Sequence, residues 1–584
     1  MIKDFLERAT KGESVFICDV RDAFSTAVTS VGCMIETAAG EIHRWNIPLP
    51  QTGSTEEKAF VRDYFYANVY NLISTLGGKF MALYINPEDT HIEELCVSLD
   101  DVFQTALPRD KRTGYGKCLN VTDRVNAALG CPPFRFKIAH GQWDNKAPEA
   151  KTQQNAVSIY KKAVEAAQSV TLCGLDIGGT DIKAVGSVNG RIAAIKEYDW
   201  NPAEMTAVEQ MLEPILLITR VILTVLSLPD SDRGKKLRAA LLNKDNSDEE
   251  MLAALDTAKA FFGEPTLLDG IGVNFPDVVI HNKIVGGETP KTTGMREFSR
   301  DYESEFRRFL ELNGMLLGYC KPGGVLSMSN DGNVAAYTAA VELAHTDKAE
   351  TVADGVLAHT LGTEIGTGWV NENGDIPQIP LEVYNWIIDL GNYPARNYDA
   401  FDVRSIRNSN TGIDGTLQRC SGQSSVFRLA YKYFTENAPE LCKGLSEKGL
   451  IAEEGKRVYV PVSPDDMRKA LLEHIMELAD NGVLQAERVM REVGRCLAAT
   501  WRETGFILDP RTKQRILYGR FVKRVKCFDL IREGAREMRD IKFIPGDDDL
   551  AFTPLMQDLK ADENHTVAQF GQAVGAVYFA ASAL

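Results

Sequence analysis

LDIGGTDIKAVGSVNG, Leu175–Gly190, sets two adjacent glycines after an acid and follows them with a hydroxyl and a lysine. From Ser169 to Trp200 apolar and polar residues alternate in three runs, broken at Gly178-Gly179 and again at Asn189-Gly190. That pattern predicts a strand, turn, strand, turn, strand meander. Glycines in the first turn let backbone N–H groups approach a phosphate with no Cβ in the way. Thr180 adds a hydroxyl donor and Lys183 a positive charge. Asp176 offers carboxylate oxygen to Mg²⁺, directly or through water. The same residues also suit a plain hairpin with a Gly-Gly turn, so taken alone the stretch supports both readings. It is not a Walker A loop, because no GxxxxGK[ST] is present.

Its counterpart is LGTEIGTG, Leu361–Gly368, a second glycine-rich strand, turn, strand on a matching unit far downstream. Two such hairpins converging from two lobes would clasp one polyphosphate. Between them, Asn330-Asp331 follows the strand-like GVLSMS and precedes a helical run. An acid at a strand's C-terminal end points into the cleft of an α/β fold, where it can act as a general base on a hydroxyl. Helix capping is the competing role for either residue. Strands and helices alternate in two sets, each opened by a glycine-rich hairpin. This predicts two α/β lobes facing each other across a cleft.

Bulk properties narrow the function classes. The 584 residues exceed one core, and the 44% apolar and 25% charged content is that of a globular chain. A net charge of −16 argues against a nucleic-acid surface, though a local pocket can still hold an anion. The start is charged and lacks an apolar signal core. The longest apolar run, Pro214–Pro229, is interrupted by Arg220 and is shorter than the ~20 residues of a membrane span, so it reads as a buried helix. Eleven scattered cysteines with no CxxC pair fit reduced thiols in a cytoplasm, and no zinc-ligand cluster is visible.

The region from about 169 to 584 resembles the ROK family (repressors, open reading frames and kinases) of the actin/hexokinase/Hsp70 superfamily. The resemblance rests on LDIGGTDIKAVGSVNG, GIGVNFPDVV (270–279), SMSNDGNVAA (327–336), AHTLGTEIGTGWVNENG (358–374), GTLQRCSGQSSVFRLA (415–430) and FGQAVGAVYFA (570–580). It implies a two-lobed actin-like (ribonuclease H-like) ATPase fold, with an additional N-terminal α/β unit over 1–150. The first lobe is expected over 151–325. The second is expected over 326–584, with a C-terminal helix returning to the first lobe. The implied activity is transfer of the γ-phosphoryl of Mg-ATP to a hydroxyl of a hexose or related sugar. Asp331 is then the general base. Asp176, Gly178, Gly179, Thr180 and Lys183 form the first phosphate loop, with Asp176 toward Mg²⁺. Gly362, Thr363, Gly366 and Gly368 form the second, and Asn330 and Asn274 are sugar ligands. Related kinases are commonly dimers, so a homodimer is the expectation by analogy.

The departures from the family pattern carry information. Where members have Glu-x-Gly-His, this chain has IPLEVYNWIID: Glu382 keeps the acid and Asn385 replaces the histidine. The family's zinc motif is reduced to Cys420, so zinc is not expected. Something else must then order the loop around 385–415, and the N-terminal unit is the candidate. Lys291 stands where an asparagine usually reads sugar hydroxyls; it is either a substrate contact or a surface lysine. Gly519-Arg520 replaces the usual glycine pair at the adenosine site. His140, His281 and His359 lack partners at catalytic spacing and read as structural or surface residues.

The N-terminal unit is strand-rich, with SVFICDV read as its first strand, and shows no basic recognition helix. It is either a degenerate actin-like half, with Arg21-Asp22 in place of the glycines, or an unrelated cap or dimerisation element. A non-catalytic nucleotide- or sugar-binding protein, a pseudokinase or sugar sensor, is the alternative to the kinase.

Overall fold

The computed structural model describes residues 1–86, 88, 90–141, 156–362, 364–391, 397–536, 542–545 and 550–584. The polar stretch over 140–155, whose composition suits a linker, lies from 142 onward outside the described residues, as does Thr363.

The N-terminal unit begins with helices α1 (Ile2–Thr10) and α2 (Ile17–Phe24). Strands β1 (Thr29–Glu36) and β2 (Ile42–Leu49) lead to helix α3 (Thr55–Leu76), then β3 (Phe80–Ile85), α4 (Cys118–Ala128) and β4 (Arg135–His140). SVFICDV is therefore mostly helix, a correction to the strand expected there: its apolar, β-branched residues are buried as one side of α2 against the rest of the molecule. The sheet order is β2-β1-β3-β4, with β1 antiparallel to both neighbours and β3 parallel to β4. A phosphate hairpin with its meander would pair differently, and Arg21-Asp22 sits inside α2, so this unit is not a degenerate copy of the other lobes.

Helix α5 (Ala156–Ala167) enters the first lobe, followed by β5 (Thr171–Ile177), β6 (Asp181–Val188), β7 (Arg191–Asp199), α6 (Val208–Ser227), β8 (Leu268–Phe275) and β9 (Cys320–Asn330). The order β9-β8-β5-β6-β7 combines an antiparallel meander, β5 to β7, with parallel β8 and β9 on the other side of β5. Because β9 stays in this sheet, the lobes change at Asn330–Asp331, and a boundary at 325–326 would cut a strand. The apolar helix α6 is long enough to cross a membrane but packs as a core helix.

The second lobe holds α7 (Asp331–Ala344), β10 (Val356–Leu361), β11 (Ile365–Val370), α8 (Arg468–Asp480), α9 (Leu484–Ile507), β12 (Gln514–Tyr518) and β13 (Lys542–Pro545). Its sheet order, β11-β10-β12-β13, repeats the first lobe's hairpin and parallel strands. The long helix-patterned stretch over 471–510 forms two helices, α8 and α9, and the second runs to Ile507. The last helix, α10 (Val567–Ala581), lies against both lobes. A Cβ on Gly174 of β5 or Gly272 of β8 would overlap its backbone, and one on Gly575 would overlap Thr338 of α7. Glycine is required at all three by close approach.

The N-terminal unit shares one hydrophobic core with the second lobe, from Phe5, Phe24 and Phe65 to Trp386, Val489 and Trp501. A smaller cluster joins Val121 and Val125 of α4 to Val278, Ile280 and Val285 of the first lobe. Helix α3 is capped by Ser54 and Glu57 and is buried almost all round from Phe60 to Leu76. Its polar residues are buried too. Asn68 accepts from Arg21 (2.7 Å), whose guanidinium also bonds Glu503 of α9 (2.8 Å) and lies 3.6 Å from the centre of the Phe506 ring. Nearby, Trp501 donates to His359 (3.1 Å), and burial beside Arg515 pushes that imidazole down to about 3.

Removing one partner of a buried ion pair leaves the other charge without compensation. Arg21→Ala is therefore expected to destabilise the whole chain by about 3–5 kcal/mol in urea denaturation. A loss below ~1 kcal/mol, the range of exposed pairs, would show that the N-terminal unit is not integral to the core.

Candidate functional site

The two hairpins face each other across a cleft of about 940 Å³. Of the residues singled out from sequence, Asp176, Gly178, Thr180, Lys183, Lys291, Asn330, Asp331, Gly366 and Glu382 line it. In the first hairpin the N–H of Gly178 donates to the Asp181 carbonyl (2.8 Å) and the Trp200 indole donates to the Gly178 carbonyl (3.1 Å). These bonds hold the turn in shape. The N–H groups of Gly179 and Thr180 have no acceptor among the described residues, so two adjacent donors are left for an anion. Lys183 pairs with Asp181 at 2.5 Å. The Lys291 side chain lies over Gly179, 3.3 Å from where a Cβ would stand. Its charge is felt by Asp277 and Glu364 as well, and among the described residues its ammonium forms no ion pair.

Asp331 opens α7. Gly332 packs on the Thr367 carbonyl at 2.6 Å from a would-be Cβ, and a Cβ on Gly368 would overlap the Gly332 carbonyl. This backbone contact presses the start of α7 onto the second hairpin and brings Asp331 to it. Asp331 Oδ1 accepts from the N–H of Gly332 (2.8 Å). Asn330 caps the helix through Gly332 (2.9 Å) and donates to the Asp277 carbonyl (2.9 Å), which leaves one of its amide hydrogens for a ligand.

Asp176 is pushed up to about 7 by burial, with Asp331 and Asp181 adding to the rise and Lys183 opposing it. Among the described residues no group of three or more acidic, histidine or cysteine side chains is placed to hold a metal ion, so a divalent cation would rest on the half-buried Asp176 carboxylate largely through water.

At the other end stand three acids. Asp277 accepts from the N–H groups of Val278 (2.8 Å) and Gly287 (2.7 Å), and burial pushes it up to about 6. Glu288 accepts from Arg124 (2.8 Å) and Asn120 (3.3 Å), both on α4. Glu382 Oε2 accepts from Tyr384 (3.0 Å) and Asn385 (3.1 Å). Burial first, then the charges of Asp277 and Glu288, push Glu382 up to about 8.

Helix α3 orders the segment that carries Glu382. The N–H groups of Leu381 and Glu382 donate to the Thr75 and Ser74 carbonyls (2.9 and 3.0 Å). Asn71 accepts from the N–H of Ile387 and donates to its carbonyl (2.8 and 3.0 Å), and the Trp386 indole donates to Thr75 (2.9 Å).

The other sequence candidates sit elsewhere. Asn274 is fully buried behind Asp176 and donates to the Gln572 carbonyl of α10 (2.9 Å), so it braces the site instead of facing ligand. Asn385 is turned to Glu382 and Asn408 (3.1 Å). Gly368 lies under α7 and Gly362 outside the cleft lining. A Cβ on Gly519 would overlap the Leu361 carbonyl, and Arg520 pairs with Glu473 at 3.5 Å. Neither Gly519 nor Arg520 lines the cleft, whereas Arg468 of α8 does. Asp277, Glu288, Glu364 and Tyr384 escaped the sequence reading, since a lone acid in a loop carries no periodic signal.

No protein-family model matches the chain, and no curated protein does. Among solved structures it is similar to a ROK family glucokinase from Streptomyces griseus at 17% identity, covering 70% of this chain and 98% of that one with a TM-score of 0.37. It is similar to a ROK hexokinase from Thermus thermophilus at 16% identity, with 70% and 97% covered and a TM-score of 0.37. A ROK family transcriptional regulator, a homologue of the E. coli MLC protein, is similar at 12% identity, with 72% and 88% covered and a TM-score of 0.40. Each is named for the family whose motifs the sequence resembles. At these identities what the chain does has to be argued from its own residues.

Glu382 provides a test of the site's electrostatics. A carboxyl raised from 4.5 to about 8 holds its proton longer folded than unfolded. Its stabilising contribution is complete below pH 4.5 and is lost as pH rises through about 8. Gln keeps an acceptor for Tyr384 and Asn385 but cannot titrate. Thermal unfolding between about pH 4.5 and 8 should show wild type losing stability relative to Glu382→Gln, whereas parallel curves would mean an unshifted carboxylate.

Proposed function

We propose that this chain is an ATP-dependent sugar kinase that transfers the γ-phosphoryl group to a hydroxyl of a hexose or related sugar. The observation that carries this reading is the placement of Asp331. It is pressed against the second hairpin and shares one cleft with Asp176 and Thr180, whose N–H, like that of Gly179 beside it, has no acceptor among the described residues.

Under this reading the polyphosphate lies between the hairpins. Gly179 and Thr180 donate to it from one side, with Lys183 and Lys291 adding positive charge. Mg²⁺ held at Asp176 would neutralise charge on the transferring group. Asp331 takes the proton from the attacking hydroxyl, using the oxygen that Gly332 does not engage. Glu382, Glu288 and Asn330 bind the sugar. Arg468 is the cation on the second-lobe side, in place of Arg520. All eleven cysteines are unbridged, which fits a reducing compartment such as the cytoplasm.

A panel of sugars with Mg-ATP, followed by ADP release, tests the proposal. Turnover is expected with at least one hexose or related polyol. Asp331→Asn should lower kcat by about 10²–10⁴-fold with ATP affinity nearly kept. No turnover on any sugar, or a variant as fast as wild type, sinks the kinase. Thermal stabilisation by ATP without turnover would instead support a non-catalytic nucleotide-binding protein.

A further inference from the structure

Behind the sugar end of the cleft lies a second, partly open chamber of about 10 Å³, room for roughly one water-sized group. Glu288, Glu382 and Asn410 line both the chamber and the cleft. Asp331 lines only the cleft. The far wall belongs to the N-terminal unit, where Tyr70 and Ser74 of α3 meet α4. Both residues are buried, Tyr70 at 0% and Ser74 at 4% exposure; the Tyr70 hydroxyl lies near Ser74 and Thr411, yet among the described residues neither the Tyr70 nor the Ser74 hydroxyl makes a hydrogen bond of normal length and angle. The Tyr70 hydroxyl feels the charge of Glu382, which agrees with its reaching the shared wall. Unmade hydrogen bonds are costly in a buried place. Two of them together on a chamber beside a ligand cleft mark a place that suits a small polar group.

We propose that Tyr70 and Ser74 form a specificity subsite for one neutral hydroxyl of the acceptor, on a different carbon from the hydroxyl that is phosphorylated. This rests on the sugar-kinase reading above. A hydroxyl both donates and accepts, as Tyr and Ser hydroxyls do, so the three satisfy one another. Glu288 on the shared wall repels a phosphate or carboxylate, and the volume admits nothing larger than a single small group. Lys117 also lines the chamber and keeps its charge while donating to the neutral Asn410 amide at 3.3 Å, so the small volume is what excludes a phosphate or carboxylate. The subsite comes from residues 1–150, so this unit takes part in choosing the substrate.

The test uses the full chain, wild type against Tyr70→Phe and Ser74→Ala, with the best sugar of the panel and its monodeoxy analogues. Each variant should raise the KM for the sugar roughly three- to tenfold, with a smaller change in kcat and none in the KM for ATP. One monodeoxy analogue should be disfavoured by wild type and not by Tyr70→Phe. The melting temperature of Tyr70→Phe should hold or rise, since no protein hydrogen bond is lost. An unchanged sugar KM overturns the subsite, as does an equal effect on every analogue. An unchanged sugar KM with a lowered melting temperature identifies a resident water and overturns it too. If wild type turns over no sugar, the kinase reading fails, and thermal stabilisation by the same sugars decides the subsite separately. Stabilisation of wild type that Tyr70→Phe loses supports it. Equal stabilisation of both, or none, overturns it.

Discussion

The side-chain amide of Asn71 bonds both the N–H and the carbonyl of Ile387, at 2.8 and 3.0 Å, in a fully buried setting. This pairing imitates one rung of a β-ladder between a helix and an irregular segment. The segment from Leu381 to Leu390 lies inside the molecule without a sheet to satisfy it. Buried backbone groups must find partners, and here they find them on the N-terminal unit: Ser74 and Thr75 of α3, then Val15, whose carbonyl accepts from Leu390 at 2.9 Å. Where the ROK pattern has a histidine and zinc-bound cysteines, this chain has Asn385, Asn408 and the end of a helix. Glu382 and Asn385 stand where they do because α3 does.

The same unit reaches the opposite lobe. Arg124 of α4 bonds the Gly286 carbonyl at 2.5 Å and pairs with Glu288 and Glu303 at 2.8 and 2.6 Å. Acids from both lobes are thus set by one block of structure. On the hairpin side, backbone contact does the positioning. Gly332 meets Gly368 so that Asp331 reaches the second hairpin, while Gly174 and Gly272 let α10 lie on the sheet behind Asp176. The two ends of the cleft are fixed by different physics: hydrogen bonds and ion pairs at one, the absence of side chains at the other.

The hairpins, the order of strands and helices, and Asp331 were legible in the sequence, because period-two runs broken by glycine and an acid between a strand and a helix are local patterns. What failed was what locality cannot encode. A glycine kept for close approach looks the same whether the visitor is a phosphate or another backbone, and this misdirected Gly368 and Gly519. The strand Cys320–Asn330 reads identically in either lobe until its partner, β8, is known. The polar residues Asn68, Asn71 and Thr75 of α3 resemble a solvent face, but they are the groups that bind Arg21, Ile387 and Trp386. Only their clustering at helical spacing, within a helix otherwise apolar all round, hinted at a buried polar seam.

Lys291 shows how geometry sharpens a charge argument. Read from sequence, a lysine in the sugar loop could pair with an acidic substrate. In the structure it covers Gly179 at the hairpin turn, while Asp277, Glu288 and Glu382 gather at the far end. Cations and acids are mixed at the hairpin end, where Lys183 pairs with Asp181, whereas acids gather where the acceptor would lie. An anionic acceptor would meet repulsion there and would raise the cost of ionising Glu382 further. A neutral polyol meets no such penalty: with its carboxyl pushed up to about 8 by burial and acidic neighbours, Glu382 remains protonated near neutral pH and can donate to a hydroxyl. The feature that makes Glu382 costly as a charge makes it useful as a donor, so under the proposed reading the acidity of this end would favour a neutral ligand.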